Sequence, residues 1–209
     1  MRISIITICF NNPEELKKTC ASVDIQLLKP YEHWIINGST KPGIKEWLEN
    51  DSQPAYRKWI NENDKGIADA FSKGIEKATG DILYLLNSGD TIYDNTVLQK
   101  VNEVFEKDVS LMWCNGKLNT CRGGIWVMVG KPFEKNKLYR GMRSIAHPTM
   151  YVRKEVYGRH GLFNPELKMA MDYDFLCRIA DEKNVFLDHP LATFDPTGVS
   201  STKYIEAMK

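Results

Sequence analysis

The sequence predicts an α/β domain built on a mostly parallel central sheet flanked by helices, with a smaller mixed or antiparallel region behind it. Three observations carry this. Strand-type and helix-type segments alternate through the first half of the chain. The run 82–86 is apolar without interruption, as a strand covered on both faces requires, and just before it Ile67, Ala70, Phe71, Ile75 and Ala78 recur at helical spacing. After Asp94 the alternation gives way to β-type runs around a glycine pair, Gly123-Gly124.

Taken in order, a strand is expected over residues 3–9. A helix over 13–23 follows, opened by Asn12-Pro13-Glu14-Glu15, where Asn serves as the cap and Pro suits the first turn. A strand at 33–36, a helix at 44–50 and a strand at 56–60 come next. The amphipathic helix is stopped by Gly80, and the strand 82–86 ends abruptly in Asn87, Ser88, Gly89 and Asp90. Further on stand a helix at 96–105, β-type runs at 110–114 and 125–129, and a last helix at 173–182 that buries Phe175, Leu176 and Ile179. Asp172 sits at the start of that helix, and a short strand at 185–187 follows it.

A chain of 209 residues is long enough for one ordinary domain, expected here over 1–209. With 43% hydrophobic and 26% charged residues it lies near the globular average, which argues against disordered and fibrous classes. A formal net charge of +1 gives no support to nucleic acid as a general partner. The five cysteines are odd in number and include no Cys-x-x-Cys pair, so neither a disulfide framework nor a zinc site is expected, and they read as reduced thiols of a cytosolic protein. Residues 3–10 faintly resemble a signal-peptide core, but no small-residue cleavage site follows. No segment approaches the roughly 20 apolar residues needed to span a bilayer. The expectation is a soluble or peripheral protein.

The abrupt end at Asp90 presents a carboxylate at the carboxyl end of a strand, where ligands of open α/β sheets sit, although Ser-Gly-Asp is also ordinary turn material. Asp172 reads equally as a helix cap or as a functional acid. If the late helix packs under the mixed region, both carboxylates open toward one sheet edge, and one of them can hold a metal while the other handles a proton. Magnesium or manganese tolerates a site of one or two carboxylates when a phosphorylated ligand and water complete it. Residues 131–143 carry five basic side chains against the single acid Glu134, with Phe133 and Tyr139 interspersed. They read as a solvated loop or as a segment that meets an anionic lipid surface or a diphosphate. His147, held extended by the following Pro148, is an acceptor-side candidate. The Gly-x-Gly-x-x-Gly, P-loop and Gly-x-Ser-x-Gly signatures are absent, which removes the main sequence support for dinucleotide oxidoreductases, P-loop enzymes and serine hydrolases.

With these residues in place the chain resembles the family-2 glycosyltransferases of the GT-A fold, particularly bacterial enzymes of capsule, exopolysaccharide and O-antigen (lipopolysaccharide) assembly. Ser4-Ile5-Ile6-Thr7-Ile8-Cys9-Phe10-Asn11 looks like the family's first strand and nucleotide-binding turn. Asn37-Gly38-Ser39-Thr40 stands where the family has Asp-Gly-Ser-Thr. Asp64-Lys65-Gly66-Ile67-Ala68-Asp69-Ala70, with Lys73-Gly74 and Ala78-Thr79-Gly80-Asp81, matches its central helix. Asn87-Ser88-Gly89-Asp90 occupies the metal-binding Asp-x-Asp region, Met171-Asp172-Tyr173-Asp174 with Arg178 matches the Glu-Asp acceptor motif, and Gly198-Val199-Ser200 resembles a turn near the domain's end. The chain departs from the pattern at Asn37, Ser72, Asn87, Gly89 and Met171, so Asp90 is the one acid of its motif. The Gln-x-x-Arg-Trp motif of processive synthases is absent.

The resemblance implies an inverting, metal-dependent transfer of one sugar from a nucleotide-diphosphate sugar, UDP-sugar favoured, to a hydroxyl of a lipid-linked cell-surface glycan. It implies that Thr7, Phe10, Asn11, Asn37, Ser39, Asp64, Lys65, Asp69, Asn87 and Ser88 surround the nucleotide sugar. Asp90 would hold Mn2+ or Mg2+, Asp172 would be the base, and His147 would stand on the acceptor side. Residues 1–95 form the nucleotide-binding half and 96–209 the acceptor half, and the enzyme works in the cytoplasm, peripheral at the inner face of the plasma membrane. Two rival readings are a non-catalytic sugar-nucleotide-binding or scaffold protein, motivated by the missing acids, and a nucleotidyltransferase, which lacks its usual Gly-rich basic motif here.

Overall fold

A computed structural model describes residues 1–142, 145–167 and 170–194. The elements are β1 (Ile3–Cys9), α1 (Pro13–Asp24), β2 (Glu32–Asn37), α2 (Gly43–Asn50), β3 (Arg57–Asn61), α3 (Ile67–Lys77), β4 (Ile82–Asn87), β5 (Thr91–Ile92), α4 (Val97–Lys107), β6 (Trp113–Arg122), β7 (Ile125–Val129), β8 (Tyr151–Arg153), α5 (Lys154–His160), α6 (Met171–Arg178) and β9 (Asn184–Phe194). Short 3-10 turns occupy Lys135–Arg140 and His147–Thr149. The described strands form one nine-stranded sheet in the order β3-β2-β1-β4-β8-β6-β9-β5, with β7 paired to β6. The first four strands of that order are parallel. Beyond β4 the sheet is mixed: β8 runs antiparallel to β4 and β6, whereas β9 runs parallel to β6.

Strands β1 and β4 are central because they are apolar on both faces. Ile3, Ile5, Ile82, Tyr84 and Leu86 point to the face covered by Val97, Leu98, Val101 and Phe105 of α4. Ile6, Ile8, Leu83 and Leu85 point to the other face, against Phe71 and Ile75 of α3 and Phe175 and Leu176 of α6. Gly74 lets α3 lie close: a Cβ there would stand 2.2 Å from Ile6 Cγ2 and 3.2 Å from Ile36 Cγ1. The expected cap of α1 forms, since the Glu15 amide donates to Asn12 Oδ1 at 3.3 Å.

Several boundaries differ from the sequence-based expectation. Helix α3 ends at Lys77 with Ala78 already extended, so Gly80 does not stop it. Gly80 instead permits close packing, because a Cβ would meet Ser4 Oγ at 2.3 Å and the Arg2 carbonyl at 2.9 Å. The run expected at 110–114 starts at Trp113 and continues to Arg122. Helix α6 begins at Met171 and ends at Arg178. The Gly198-Val199-Ser200 turn and Arg143 lie outside the described residues.

A buried carboxylate joins β2 to its neighbours. Glu32 accepts from Ser4 Oγ at 2.8 Å, from the Thr79 amide and from Lys58 Nζ at 3.0 Å. Burial pushes its pKa up, but the Thr79 amide, Ser4 and Lys58 outweigh it and pull the pKa down from 4.5 to about 2. A depressed carboxylate pKa contributes stability that is present above the unfolded value and lost as pH falls through the folded one. The stability margin of the parent over Glu32→Gln should therefore hold at neutral pH and shrink between about pH 4.5 and about pH 2. Urea unfolding of both proteins across that window measures it, and a constant difference would contradict the assignment.

Candidate functional site

Each of the four parallel strands delivers an asparagine at its carboxyl end. Asn37, Asn61 and Asn87 are the last residues of β2, β3 and β4, and Asn11 stands two residues past β1. The parallel register brings Asn37 beside both Cys9 and Asn61, and Asn87 beside Ile8. The polar ends therefore form one edge.

Asn11 adopts a left-handed backbone, φ 56°, and ties the first two strand ends together. Its amide donates to Ser39 Oγ at 2.8 Å, and its Oδ1 accepts from the amides of Thr40 at 3.1 Å and Lys41 at 3.0 Å. This side chain positions the loop after β2. Asn37, buried, donates from Nδ2 to Asn61 Oδ1 at 2.8 Å while its Oδ1 receives the Ser39 amide at 3.1 Å. An open hollow of about 270 Å³ lies here, with Asn37, Ser39, Lys41, Asn61 and Glu62 among its walls. Asn61 and Lys41 were not singled out from the sequence. The available signal was the recurrence of asparagine at successive strand ends.

Asp64 sits over Gly38, where a Cβ would come within 1.8 Å of Asp64 Oδ2, so only glycine admits this carboxylate. Its Oδ1 accepts the Gly66 amide at 2.9 Å. Asp69, in the first turn of α3, accepts the Lys65 amide at 2.9 Å and pairs with Lys73 at 3.2 Å. The Lys65 amide pulls its pKa down, burial opposes, and Lys73 adds to the lowering. Asp69 and the Lys65 backbone therefore fasten the start of α3, while the Lys65 side chain is exposed. Phe10 is exposed, at 62%, and presents an open ring beside this edge.

Thr7, also expected near the nucleotide, does not stand at this edge. It is fully buried within β1, and its hydroxyl shares a 2.9 Å hydrogen bond with His33 Nε2. The period of the strand turns it into the interior, so it does not reach the edge. His33 also accepts from Arg57 Nε at 3.4 Å, and burial, with Arg57 close by, lowers its pKa.

The turn after β4 is fastened by Thr19 of α1, another residue that sequence reasoning passed over. The Thr19 hydroxyl accepts from the Gly89 amide at 2.9 Å and donates to the Asp90 carbonyl at 2.7 Å. Gly89 has φ +100°, a conformation that favours glycine. The Ser88 amide donates to the Ile8 carbonyl at 3.0 Å, while the buried Ser88 Oγ has no hydrogen-bond partner. Asp90 is buried, at 3% exposure, with Asn87 Nδ2 at 3.5 Å from its Oδ2. Burial pushes the Tyr84 phenol up in pKa, and the nearby Asp90 charge pushes it further.

Tyr84 also fastens the segment that carries His147. Its hydroxyl donates to the Pro148 carbonyl at 2.9 Å, docking the His147–Thr149 turn on β4. The His147 ring packs between Phe71 and Phe163, with centroids at 5.6 and 6.1 Å. Burial lowers the His147 pKa and the nearby Asp172 charge opposes the lowering. Burial therefore favours the uncharged imidazole. Asp172 lies in the first turn of α6, not at its cap, which is Ala170 in a left-handed conformation, φ 61°. Its Oδ1 receives the Tyr173 amide at 2.8 Å. Asp174 faces elsewhere and binds Arg178 at 3.0 Å, and Arg178 in turn donates to the carbonyls of Gly161 at 3.1 Å and Leu162 at 2.8 Å.

The basic segment is less charged than its sequence suggests. Lys135 pairs with Asp181 and Lys137 with Glu134, while Arg140 lies over the exposed Tyr139 ring, 5.3 Å from its centroid. No group of three His, Cys, Asp or Glu side chains among the described residues is arranged to hold a metal ion. No helix among them is long and apolar enough to cross a membrane.

A sheet that is parallel through four strands, opens their ends into an asparagine-lined edge and then turns mixed defines a Rossmann-like α/β class of fold. The chain belongs to glycosyl transferase family 2, whose model matches residues 4–161. It is 29% identical over 95% of its length to an uncharacterized glycosyltransferase of Mycobacterium tuberculosis, Rv1514c, covering 77% of that protein. It is 23% identical over 90% of its length to an uncharacterized glycosyltransferase of Rickettsia typhi, RT0329, covering 61% of that protein. Among solved structures, S. aureus TarS superposes with a TM-score of 0.72 at 17% identity, over 100% of this chain and 38% of TarS. The mannosyltransferase PcManGT of Pyrobaculum calidifontis, solved with GDP-Man and Mn2+, superposes with a TM-score of 0.71 at 14% identity, over 99% of this chain and 61% of that one. These likenesses establish the GT-A fold. The chain spans well under half of TarS.

Proposed function

We propose that this protein transfers one sugar from a nucleotide-diphosphate donor to a glycan hydroxyl with inversion at the anomeric carbon. The observation that carries the reading is the pair of acids at element ends, Asp90 just past β4 and Asp172 in the first turn of α6, the latter close enough to His147 for its charge to be felt there, with the His147–Thr149 turn held on β4 by the Tyr84–Pro148 hydrogen bond. The 1–95 half would hold the donor, with Asn37 and Ser39 on the walls of its hollow, Phe10 free to stack on the base, and Asp64, Lys65, Asn87 and the unpartnered Ser88 hydroxyl facing the diphosphate. The 96–209 half would hold the acceptor. A uridine nucleotide is favoured because a TarS fragment of the same fold was solved with UDP-GlcNAc.

A magnesium or manganese ion here would be carried chiefly by the ligand: Asp90 would supply one carboxylate, Ser88, whose hydroxyl has no hydrogen-bond partner, an oxygen, and phosphate oxygens and water the rest. When bound, such an ion offsets the negative charge that develops on the departing nucleoside diphosphate. Asp172 takes the proton of the acceptor hydroxyl. The acceptor oxygen forms its bond to the anomeric carbon as the bond from that carbon to the diphosphate oxygen breaks, and the in-line attack inverts the configuration. His147, close to Asp172, would help to position the acceptor, and the Tyr173 amide holds the Asp172 carboxylate. A lipid-linked cell-surface acceptor, met at the cytoplasmic face of a membrane, is the substrate class we infer.

A thermal-shift series with UDP-, GDP- and deoxythymidine-diphosphate sugars, with and without manganese, tests the donor class, because a ligand that binds only the folded state raises its apparent stability by mass action. Manganese-dependent stabilisation together with slow donor hydrolysis is the expected result. Binding with no turnover of any donor would assign the fold to a non-catalytic sugar-nucleotide-binding role, and release of pyrophosphate from a nucleoside triphosphate would assign it to nucleotidyl transfer.

A further inference from the structure

In the hairpin of β6 and β7, it is the β7 arm that leaves apolar side chains outside the core. Among the described strands β7 pairs with β6 alone, and its five residues are Ile, Trp, Val, Met and Val. Ile125 is 68% exposed, Trp126 59% and Met128 46%. A strand solvated on one face normally alternates polar with apolar residues, and an uncovered apolar edge strand invites association. The tip is a turn of two glycines with φ 58° and 82°, and nothing lies within 4 Å of a Cβ built on either, so the hairpin projects into open space.

Charge indicates what covers it. From Val109 to Phe133 the chain contains no Asp or Glu but carries Lys117, Arg122 and Lys131. Lys117 pairs with Asp188, whereas Arg122 and Lys131 have no carboxylate partner among the described residues. We propose that this hairpin is a membrane-docking element that places Ile125, Trp126 and Met128 in the interfacial layer of an anionic bilayer, with Arg122 and Lys131 on its headgroups. Trp suits that layer because its body is apolar and its N–H is polar. A second copy fits less well, since edge-to-edge pairing of two β7 strands would bring Arg122 and Lys131 of both copies together. The far end of β6 pairs with the end of β9, which pairs with β5 just after Asp90, so docking would hold the transferase edge beside the bilayer. The inference does not depend on the transfer chemistry.

The test is co-sedimentation of the protein with vesicles of phosphatidylcholine, with and without phosphatidylglycerol, in the absence of donor. The parent should bind the phosphatidylglycerol vesicles, and Ile125→Ser/Trp126→Ser should weaken binding by about tenfold or more, as expected for withdrawing two large apolar side chains. Arg122→Gln/Lys131→Gln should weaken it roughly fivefold per charge, an effect that fades with salt. The melting temperature should stay near that of the parent in both variants because the altered side chains are exposed. Failure of the parent to bind, or equal binding by the hairpin variants, would overturn the proposal. A parent dimer that dissociates on Ile125→Ser/Trp126→Ser would also overturn it, giving this face to a second copy.

Discussion

Asp172→Asn should lower the transfer rate by roughly 10² to 10⁴, the usual range for losing a general base, with donor affinity close to that of the parent. The substitution keeps the shape of the side chain and an oxygen able to receive the Tyr173 amide, so α6 should begin as before. What it removes is the basicity and the charge that faces His147. That second loss gives an independent readout: without the neighbouring carboxylate the His147 pKa should fall further, because the one influence opposing burial is gone. Titration of the imidazole by NMR reports this without any substrate. Asp174→Asn is the control. It faces Arg178 instead, so it should leave the rate near the parental value and lower stability by up to about 1 kcal/mol through loss of a half-exposed ion pair. Parental activity of Asp172→Asn with an acceptor that the parent glycosylates would place the base elsewhere.

The second large effect is expected at the Asp90 turn. Asp90→Asn should abolish the part of donor affinity that depends on manganese, because the turn has no other acid to take over. Asn87 and Ser88 are neutral, and Gly89 has no side chain. A strand end is ordinarily an open position, but the structure buries Asp90 at 3% exposure. The turn should nevertheless persist. Thr19 grips the Gly89 amide and the Asp90 carbonyl, both backbone groups that the substitution leaves in place. Calorimetric titration with and without manganese measures the loss, and a donor affinity that still rises with manganese in Asp90→Asn would remove Asp90 from the metal site. Thr19→Val bears on the same point from the other side. It should disturb the turn while leaving the acid in place, so its loss of donor affinity should be smaller and should also appear without metal.

How much of this was readable depended on the distance over which each feature is decided. β1, β4, α3 and α4 were legible because burial on both faces, or at helical spacing, writes its period directly into neighbouring residues. The glycine turn at Gly123-Gly124 and the Asn12 cap are equally local. β8 was not legible: its three residues, Tyr151–Arg153, are a strand because β4 and β6 pair with them on either side. β9 was read as three residues but spans eleven. The run Asp188-His189-Pro190 looks like a turn, and the sheet absorbs Pro190 through register shifts around Lys117 that a single segment cannot announce.

The candidate site divides in the same way. By itself the sequence determined that polar groups crowd the carboxyl ends of the parallel strands and that Asp90 is the one acid of its turn, because strand ends and turn residues are short-range properties. Only the tertiary structure decided which of those groups face the edge. Thr7 turns inward to His33, Asn11 spends its amide on the β2 loop, and Thr19 enters the site from a helix 71 residues before Asp90. It also decided that Asp172 lies beside His147. Neither residue carries a local mark of the other, and their proximity exists because the His147 ring packs on Phe71 and Phe163 while Phe175 of α6 packs on the same Phe163 ring. Packing of that kind depends on side chains far apart in the chain filling one space, which no local pattern encodes.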